Sequence, residues 1–418
     1  MSIRSMRNGW TGGQYSLFRA VFGIYLLVHF AQLTPWAAKL FSNKGVLPRA
    51  AESPVIHLFP NILAVWDSPL LVTALVIVAA VLSIFFAIGA FDRIAAIGIW
   101  YIWAGLYGRD PLISNPSIPY VGLLLLAHAC LRPAPYGSLA ARGRADPSGG
   151  WKMDESVYTV VWILMALAYT YSGYTKLVSP SWLNGNAFAL VLNNPLARPG
   201  VIRNALLALP APAMHIITWG VLAAELSFAP LSLSRKLRPW AWSVMLLMHL
   251  GLTTVISFAD LSLGMVMLHL FTFNPSWIAP LKSSATETVF YDGHCGLCHR
   301  AVRFVLSEDA RQVAFRFAPL DSYAFRAAAD EETRRTLPDS LVVETSDGRL
   351  LTRSSAVLDI LVRLGGVWKV VARLAGLIPP KMRDFVYDLV ASVGRRLFRA
   401  PAHACPLIAH ELRARFEP

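Results

Sequence analysis

Two cysteines, Cys295 and Cys298, stand three residues apart in the string VFYDGHCGLCHRAVRFVL, and their type and spacing suit redox chemistry. A hydrophobic strand is predicted to end at Tyr291, a turn follows at Asp292-Gly293, and Cys295 begins a helix with Cys298 one turn on. Backbone N–H groups and the positive end of the helix dipole stabilise a thiolate there, and the thiolate is the nucleophile. The spacing therefore predicts thiol-disulfide exchange, in which Cys295 attacks a disulfide and Cys298 resolves the mixed disulfide.

Three other interpretations of this string remain open beside the redox one that we favour. The run from Cys295 to His299 also has the C-x-x-C-H spacing of c-type haem attachment, which takes place outside the cytoplasm. Zinc could be held by the two cysteines with His294 and His299, although neighbouring ligands on one turn close a tetrahedron with difficulty. The cysteines could also be buried structural thiols, but a helix start beside a Gly turn is expected to be exposed.

Only two other cysteines occur, so the chain has too few for a disulfide framework. Cys130 lies in an apolar run and is expected to be a packing residue. Cys405 is either a third redox thiol or a small apolar residue, and we favour the second role.

The composition indicates a membrane protein. Of 418 residues, 55% are hydrophobic and 15% charged, against roughly a quarter charged in soluble proteins. Residues 1–282 contain 19 Lys/Arg and 9 Asp/Glu, whereas residues 283–418 contain 19 and 16. The basic residues of the first part fall in short loops between apolar runs rather than in one patch, which favours lipid headgroups over nucleic acid as partners.

Eight apolar runs are long enough to span, or nearly span, a bilayer. They lie near 14–33, 68–91, 93–107, 117–132, 154–175, 212–231, 239–257 and 260–279. With the N-terminus inside, the cytoplasmic segments hold eleven Lys/Arg and the opposite loops seven, so both termini are expected in the cytoplasm and the chain in the inner membrane.

Beyond a polar, Ser-rich stretch at about 281–287, the apolar runs give way to alternating segments. Strands are predicted at 288–291, 313–317, 341–344 and 350–352, and helices at 296–306 and 354–364. The order β-α-β, then β-β-α, is that of a thioredoxin core. The predicted fold is an all-α polytopic membrane domain over 1–282, followed by an α/β thioredoxin-like domain over 283–418.

The tail resembles a known family. FYDGHCGLC looks like the signature of the DCC thiol-disulfide oxidoreductases, and the likeness continues through FRFAPLDS at 315–322, RSSAVLDILVRLGG at 353–366 and IPPKMRDFVYDLVA at 378–391. The resemblance implies a thiol or disulfide partner and a substrate site bordered by Asp292 and Gly293. It also makes Pro338 a candidate for the cis-proline that faces the active site in thioredoxin-like folds.

The membrane half resembles the HTTM group, which includes the vitamin K-dependent γ-carboxylases. The likeness spans roughly 14–275 and rests on LFRAVFG at 17–23, NKGVLPR at 43–49, YTYSGYTKLVSPSW at 169–182 with Gly185, and AAELSFAPL at 223–231. It implies that Lys176 is the base that deprotonates a reduced quinone, and a quinone becomes the expected cofactor. The alternative is that Lys176, at a helix end, reaches the outer headgroups.

Ionisable residues inside the apolar runs need partners, because a charge at membrane depth costs roughly 2.5–3.5 kcal/mol or more when it is unpaired. We expect Glu225 to pair with His249, as both lie in the middle of neighbouring predicted helices, either for proton transfer or as a helix-helix contact. Arg19 is expected to pair with an acid or to face water.

The leading hypothesis is a membrane-bound thiol-disulfide oxidoreductase whose helices also bind a quinone or another lipidic molecule. Lys176 is expected on the outer side and Cys295 on the inner, so about 30 Å of hydrocarbon would separate them and a mobile carrier or second site would be needed. The alternative is a maturation or modification enzyme that acts on an exported peptide or lipid, with the tail as a redox regulator. Peptide γ-carboxylation itself is not favoured, because the last apolar run is not followed by the large propeptide-binding domain of the carboxylases. A scaffold with degenerate domains is disfavoured by the intact cysteine pair.

Overall fold

The computed structural model describes residues 6–257, 260–281, 286–309, 314–398 and 409–417. The chain divides into two compact units, each built from three segments. The first unit comprises Met1–Arg7, Phe18–Leu131 and Asp154–Phe273, and the second comprises Asn8–Leu17, Arg132–Met153 and Asn274–Pro418. The predicted boundary at 282/283 and Cys405 lie outside the described residues.

The first unit is built from α-helices, of which the first begins with six residues, 12–17, that belong to the second unit. They are α1 (Gly12–Leu33), α2 (Ala37–Phe41), α3 (Pro69–Ile88), α4 (Asp92–Arg109), α5 (Ile118–Cys130), α6 (Glu155–Lys176), α7 (Pro180–Leu183), α8 (Ala187–Leu192), α9 (Val201–Leu207), α10 (Ala211–Leu233), α11 (Arg238–Val255) and α12 (Asp260–Thr272). Local sequence sets several of these ends. Ser68 caps α3 by accepting from the Leu71 N–H, and Gly89 ends the same helix with a left-handed φ of 71° that glycine adopts without strain.

Four helices within the described ranges are long and apolar enough to cross a membrane, which suggests a membrane protein. They are Gly12–Phe41, Pro69–Ile88, Glu155–Lys176 and Ala211–Leu233. The other four predicted spans contain α4, α5, α11 and α12. Of these, α5 and α12 have only 13 residues each, against about 20 for a straight crossing. The number eight therefore stays a prediction.

Ionisable side chains inside the first unit have partners. The Arg19 guanidinium lies 3.8 Å from the Asp92 carboxylate, which confirms the prediction that Arg19 pairs with an acid. Asp260 is 3.1 Å from the His29 ring and accepts a hydrogen bond from the Tyr25 hydroxyl at 2.7 Å. Such pairing lowers the cost of a charge in apolar surroundings.

The second unit contains a four-stranded mixed sheet in the order β2-β1-β3-β4. Its elements are β1 (Glu287–Tyr291), α13 (Gly296–Glu308), β2 (Phe315–Pro319), α14 (Tyr323–Ala328), α15 (Glu331–Thr336), β3 (Val342–Glu344), β4 (Leu350–Thr352), α16 (Arg353–Leu364), α17 (Gly366–Gly376) and α18 (Pro380–Leu397). β1 runs parallel to β2 and antiparallel to β3, which pairs antiparallel with β4. The predicted β-α-β, β-β-α order is confirmed.

Side chains alternate along β1 and build a core on each face of the sheet. Val289 and Tyr291 pack with Val302 of α13 and Ile360 of α16, while Phe290 between them points to the other face and packs on Phe325 of α14. Neighbouring residues of a strand face opposite sides, so a strand that ends in three apolar residues needs cover on both. The strand that leads to Cys295 is thereby fixed from two sides.

Glu308, the last residue of α13, is buried and binds residues 11–13, which belong to the same unit. Its carboxylate accepts hydrogen bonds from the Thr11 hydroxyl, from the Gly13 backbone N–H at 2.8 Å and from the Trp368 indole at 2.6 Å. A Cβ on Gly13 would come within 2.5 Å of a carboxylate oxygen of Glu308, so glycine permits the approach. Burial raises the pKa of Glu308, and these hydrogen bonds oppose the rise.

We predict that Glu308→Ala destabilises the second unit by about 2–4 kcal/mol, because it leaves buried N–H donors without an acceptor. The measurement is the opening free energy of β1 from hydrogen exchange of the reconstituted full-length protein. Glu331→Ala is the control, because the Glu331 side chain is 70% exposed in its pair with Arg335 and an exposed pair contributes little. Equal effects of the two substitutions would contradict this role of Glu308.

Candidate functional site

Cys295 lies at the N-terminus of α13, four residues after the end of β1. The turn between them is held by Asp292, whose carboxylate accepts from the His294 N–H at 2.8 Å and whose carbonyl accepts from the Cys295 N–H at 3.2 Å. The Cys295 sulfur is the N-cap of the helix and accepts from the Cys298 N–H at 3.3 Å. This strand-turn-helix arrangement is the predicted one.

Cys298 lies one helical turn after Cys295 and packs against the core beside the sheet. Both Cys295 and Cys298 are free thiols. Burial raises the pKa of the Cys298 thiol, and its contact with Cys295 raises it further. Cys298 therefore stays protonated at neutral pH, whereas the Cys295 sulfur accepts a hydrogen bond from the Cys298 N–H at the positive end of the helix.

The exposure of Cys295 differs from the prediction. We expected a helix start beside a glycine turn to be open to solvent, but Cys295 is only 8% exposed. Two residues further along the chain, Leu297 packs against α18: a Cβ on Gly394 would come within 2.7 Å of the Leu297 side chain. Cys130, predicted to be a packing residue, is in turn exposed at the last position of α5.

The two histidines beside the cysteines do not converge with them on a common point. The His299 ring donates to the Gly293 carbonyl at 2.8 Å and stands edge-on to Tyr291. Within the ranges that the structure describes, no three or more His, Cys, Asp or Glu side chains are grouped so that they could hold a metal ion. His299 therefore stabilises the turn that contains Gly293 through this hydrogen bond.

Pro338 is not the predicted cis-proline. No peptide bond in the described part of the chain is cis, and Pro338 lies in the connection from α15, with three residues between it and the start of β3. It is therefore too early in the chain to form the entry to the strand beside the active site.

The first unit holds a separate site, a cavity of about 740 Å³ with a largely apolar lining. One part of its wall is charged: the Lys176 ammonium is 2.5 Å from a Glu225 carboxylate oxygen and donates to the Ser172 hydroxyl at 2.7 Å. Lys176 also lies over the Trp182 ring, 5.0 Å from its centroid. Lys176 thus faces the cavity with two hydrogen-bonding partners and an aromatic ring around it.

The predicted pair of Glu225 with His249 is wrong, although both residues line the cavity. His249 instead shares a hydrogen bond with the Tyr169 hydroxyl at 2.9 Å, and that hydroxyl also contacts the His269 ring at 2.7 Å. Glu225 instead binds the Lys176 ammonium, which compensates the charge of a buried carboxylate. Sequence reasoning missed Tyr169 and Ser172; the four-residue spacing of Ser172 and Lys176 on α6 could have shown the second.

Comparison with known proteins finds relatives for the second unit. Residues 289–400 match the family model of DCC1-like thiol-disulfide oxidoreductases. The uncharacterized protein YuxK of Bacillus subtilis is 27% identical over 132 residues, which are 32% of this chain and 94% of that protein. A chloroplastic DCC family protein of Arabidopsis thaliana is 32% identical over 120 residues, 28% of this chain and 69% of that protein. No solved structure matches the chain.

We predict that the two cysteines react with iodoacetamide at different rates at neutral pH. With Cys130 and Cys405 replaced by serine, the variant that keeps Cys295 (Cys298→Ser) should react at least about tenfold faster than the variant that keeps Cys298 (Cys295→Ser), because each unit of pKa changes the thiolate fraction about tenfold. The rate at Cys298 should rise only at alkaline pH. Adduct formation is followed by mass spectrometry, and the reverse order would contradict the assignment.

Proposed function

Because the chain belongs, through its C-terminal part, to the DCC1-like thiol-disulfide oxidoreductase family, we propose that it is a membrane-bound enzyme that exchanges electrons with a thiol or disulfide partner through Cys295 and Cys298. The membrane assignment is supported by the four apolar helices of the first unit. We place the protein in the cytoplasmic membrane with both termini in the cytoplasm, as the distribution of Lys and Arg predicts.

The observation that carries the proposal is the position of the Cys295 sulfur at the N-cap of α13, with a second thiol one turn on. A structural thiol needs no helix N-terminus, whereas a nucleophilic thiol gains from one. The raised pKa of Cys298 also suits a resolving cysteine, which should stay silent until a mixed disulfide forms.

The exchange proceeds in two steps. Cys295, as thiolate, attacks one sulfur of the partner's disulfide; that S–S bond breaks, and the leaving thiolate takes up a proton. Cys298 then loses its proton and attacks the Cys295 sulfur, which releases the second partner thiol and leaves a Cys295–Cys298 disulfide. Two electrons pass to the partner, and a dithiol reductant must restore the enzyme. From the cytoplasmic placement, we propose the direction of a reductase.

This order of attack can be tested by trapping the mixed disulfide. We predict that Cys298→Ser, incubated with a disulfide such as oxidised glutathione, accumulates a mixed disulfide on Cys295, because the resolving thiol is absent. Cys295→Ser should accumulate little. The adducts are quantified by intact mass after acid quenching.

Cys130→Ser is the matched control, since Cys130 lies in α5 of the first unit and should leave turnover of the disulfide unchanged. Equal trapping in Cys298→Ser and Cys295→Ser would contradict the assigned order, and turnover that survives the loss of both would contradict the proposal.

A second candidate function concerns the cavity of the first unit, to which we assign a quinone or another lipidic molecule. The residues fit such a ligand: a cavity of about 740 Å³ lies within the usual size of roughly 300–1,000 Å³ for ligand sites, and its wall is apolar except for a few polar groups. Lys176 and Glu225 would hold the polar head, and the apolar lining would take the tail. A bound quinone would supply two-electron redox chemistry.

This second function has two versions, which differ in the role of the ligand that the cavity binds. In the first, the ligand is a redox partner of the dithiol. In the second, the cavity is the site of a maturation or modification enzyme, as the likeness of residues 14–275 to the HTTM group implies, and the dithiol regulates it. Lys176 would act as the base in either version once its ammonium has passed a proton to the Glu225 carboxylate, 2.5 Å away.

We predict that menaquinone binds the reconstituted protein saturably and that Lys176→Ala weakens binding by about tenfold or more, because the substitution leaves Glu225 as an unpaired carboxylate in the cavity wall. Binding is followed by quenching of tryptophan fluorescence, since Trp182 lines the cavity. Lys39→Ala is the control: Lys39 is an exposed lysine of α2. Equal affinity of the two variants, or no saturable binding, would contradict the assignment.

A further inference from the structure

Helix α18 presents its polar and small residues to the interior of the second unit. Asp384 accepts hydrogen bonds from the N–H and hydroxyl of Ser354, and the Tyr387 hydroxyl accepts from the Leu341 N–H at 3.0 Å. One and two turns further on, Ala391 and Gly394 are buried. This spacing of three and four residues defines the packed face of the helix.

The opposite face is apolar and exposed. Its residues follow the helical repeat, and each is between 46% and 71% exposed: Met382, Phe385, Val386, Leu389, Val390, Val393 and Leu397. Three more exposed apolar side chains, Leu374, Leu377 and Ile378, come directly before α18 in the chain. An apolar stripe along a whole helix, opposite a polar packed face, is the reverse of the pattern in a soluble domain and marks an interaction surface.

The charges beside this stripe identify what covers it. Residues 366–397 contain six Lys/Arg and two Asp. Both acids are engaged, Asp384 with Ser354 and Asp388 with Arg353 at 3.3 Å. Lys381 and Arg383 stand on either side of Met382, at the two borders of the apolar face, and Arg396 lies next to Leu397. An apolar face with basic borders complements a bilayer that contains anionic lipids.

The charged residues of α18 exclude a transmembrane orientation of this helix. α18 has six charged residues in 18 and is not among the four helices apolar enough to cross. A helix with a strongly charged face and a continuous apolar face instead lies in the plane of the interface, with its apolar side below the headgroups.

We propose that α18, with the end of α17, lies on the surface of an anionic bilayer and inserts the apolar face from Met382 to Leu397 beneath the headgroups. Because Gly394 packs against Leu297 in the first turn of α13, the helix that carries the dithiol is then fixed to the interfacial helix. The redox site works at the membrane surface, within reach of partners that are themselves attached to the membrane.

The test is a depth measurement on the full-length protein in vesicles. In a background without cysteines, an environment-sensitive fluorophore is attached at Val386→Cys on the apolar face or, as the control, at Ser346→Cys on the exposed β3–β4 turn. Both positions are exposed, so neither label disturbs the packing. The vesicles are phosphatidylcholine with phosphatidylglycerol, and brominated lipids serve as quenchers within the bilayer.

We expect blue-shifted emission and quenching by brominated lipid at Val386→Cys, and neither at Ser346→Cys. The quenching should fall when phosphatidylglycerol is omitted, or when Lys381→Glu and Arg396→Glu are combined. Emission from water at Val386→Cys would overturn the proposal. Blue-shifted emission without lipid quenching would also overturn it, because protein and not lipid would then cover the face. Equal quenching at Val386→Cys and Ser346→Cys would also overturn the proposal.

Discussion

The redox chemistry depends on how α13 is held at its two ends. At its N-terminus, the Asp292 turn places the Cys295 sulfur where it accepts from the N–H of Cys298 in the first turn of the helix. At its C-terminus, the buried Glu308 carboxylate binds the N–H of Gly13 and the indole of Trp368. Since β1 is packed on both faces, the strand, the turn and the helix form one rigid support. A nucleophile gains from such a support because its geometry is fixed before a partner arrives.

The first unit also contains a buried carboxylate, which is paired with a cation and not with N–H donors alone. A carboxylate in apolar surroundings is tolerated only with a partner of opposite charge, and Glu225 has the Lys176 ammonium 2.5 Å away. Removal of either residue leaves the other as an unpaired charge at the cavity. The pair thus keeps a polar end in a cavity that is otherwise lined by apolar side chains, and such an arrangement suits an amphipathic ligand.

Much of this could be predicted from the sequence where the signal was local. The strand, turn and helix around Cys295 and the order of elements along the second unit follow from hydrophobic pattern and turn residues. The pairing of Arg19 with an acid follows from the cost of an unpaired charge. Predictions that required tertiary contacts were less successful. Glu225 binds Lys176 and not His249, because helix packing and not mid-helix position sets which side chains meet. The burial of Cys295 was not expected from a helix start beside a glycine turn. The apolar pattern of α18 alone would have placed its other face inward.

The measurement that tests the central claim most directly is the reduction potential of the Cys295–Cys298 pair in the purified full-length protein, by thiol alkylation against glutathione buffers. The proposed function predicts that both cysteines titrate together as a two-electron couple, with about 30 mV for each tenfold change in the ratio of oxidised to reduced protein. If both thiols stay open to alkylation at every potential, or become modified independently of each other, the pair is not a redox couple and the proposed function is wrong.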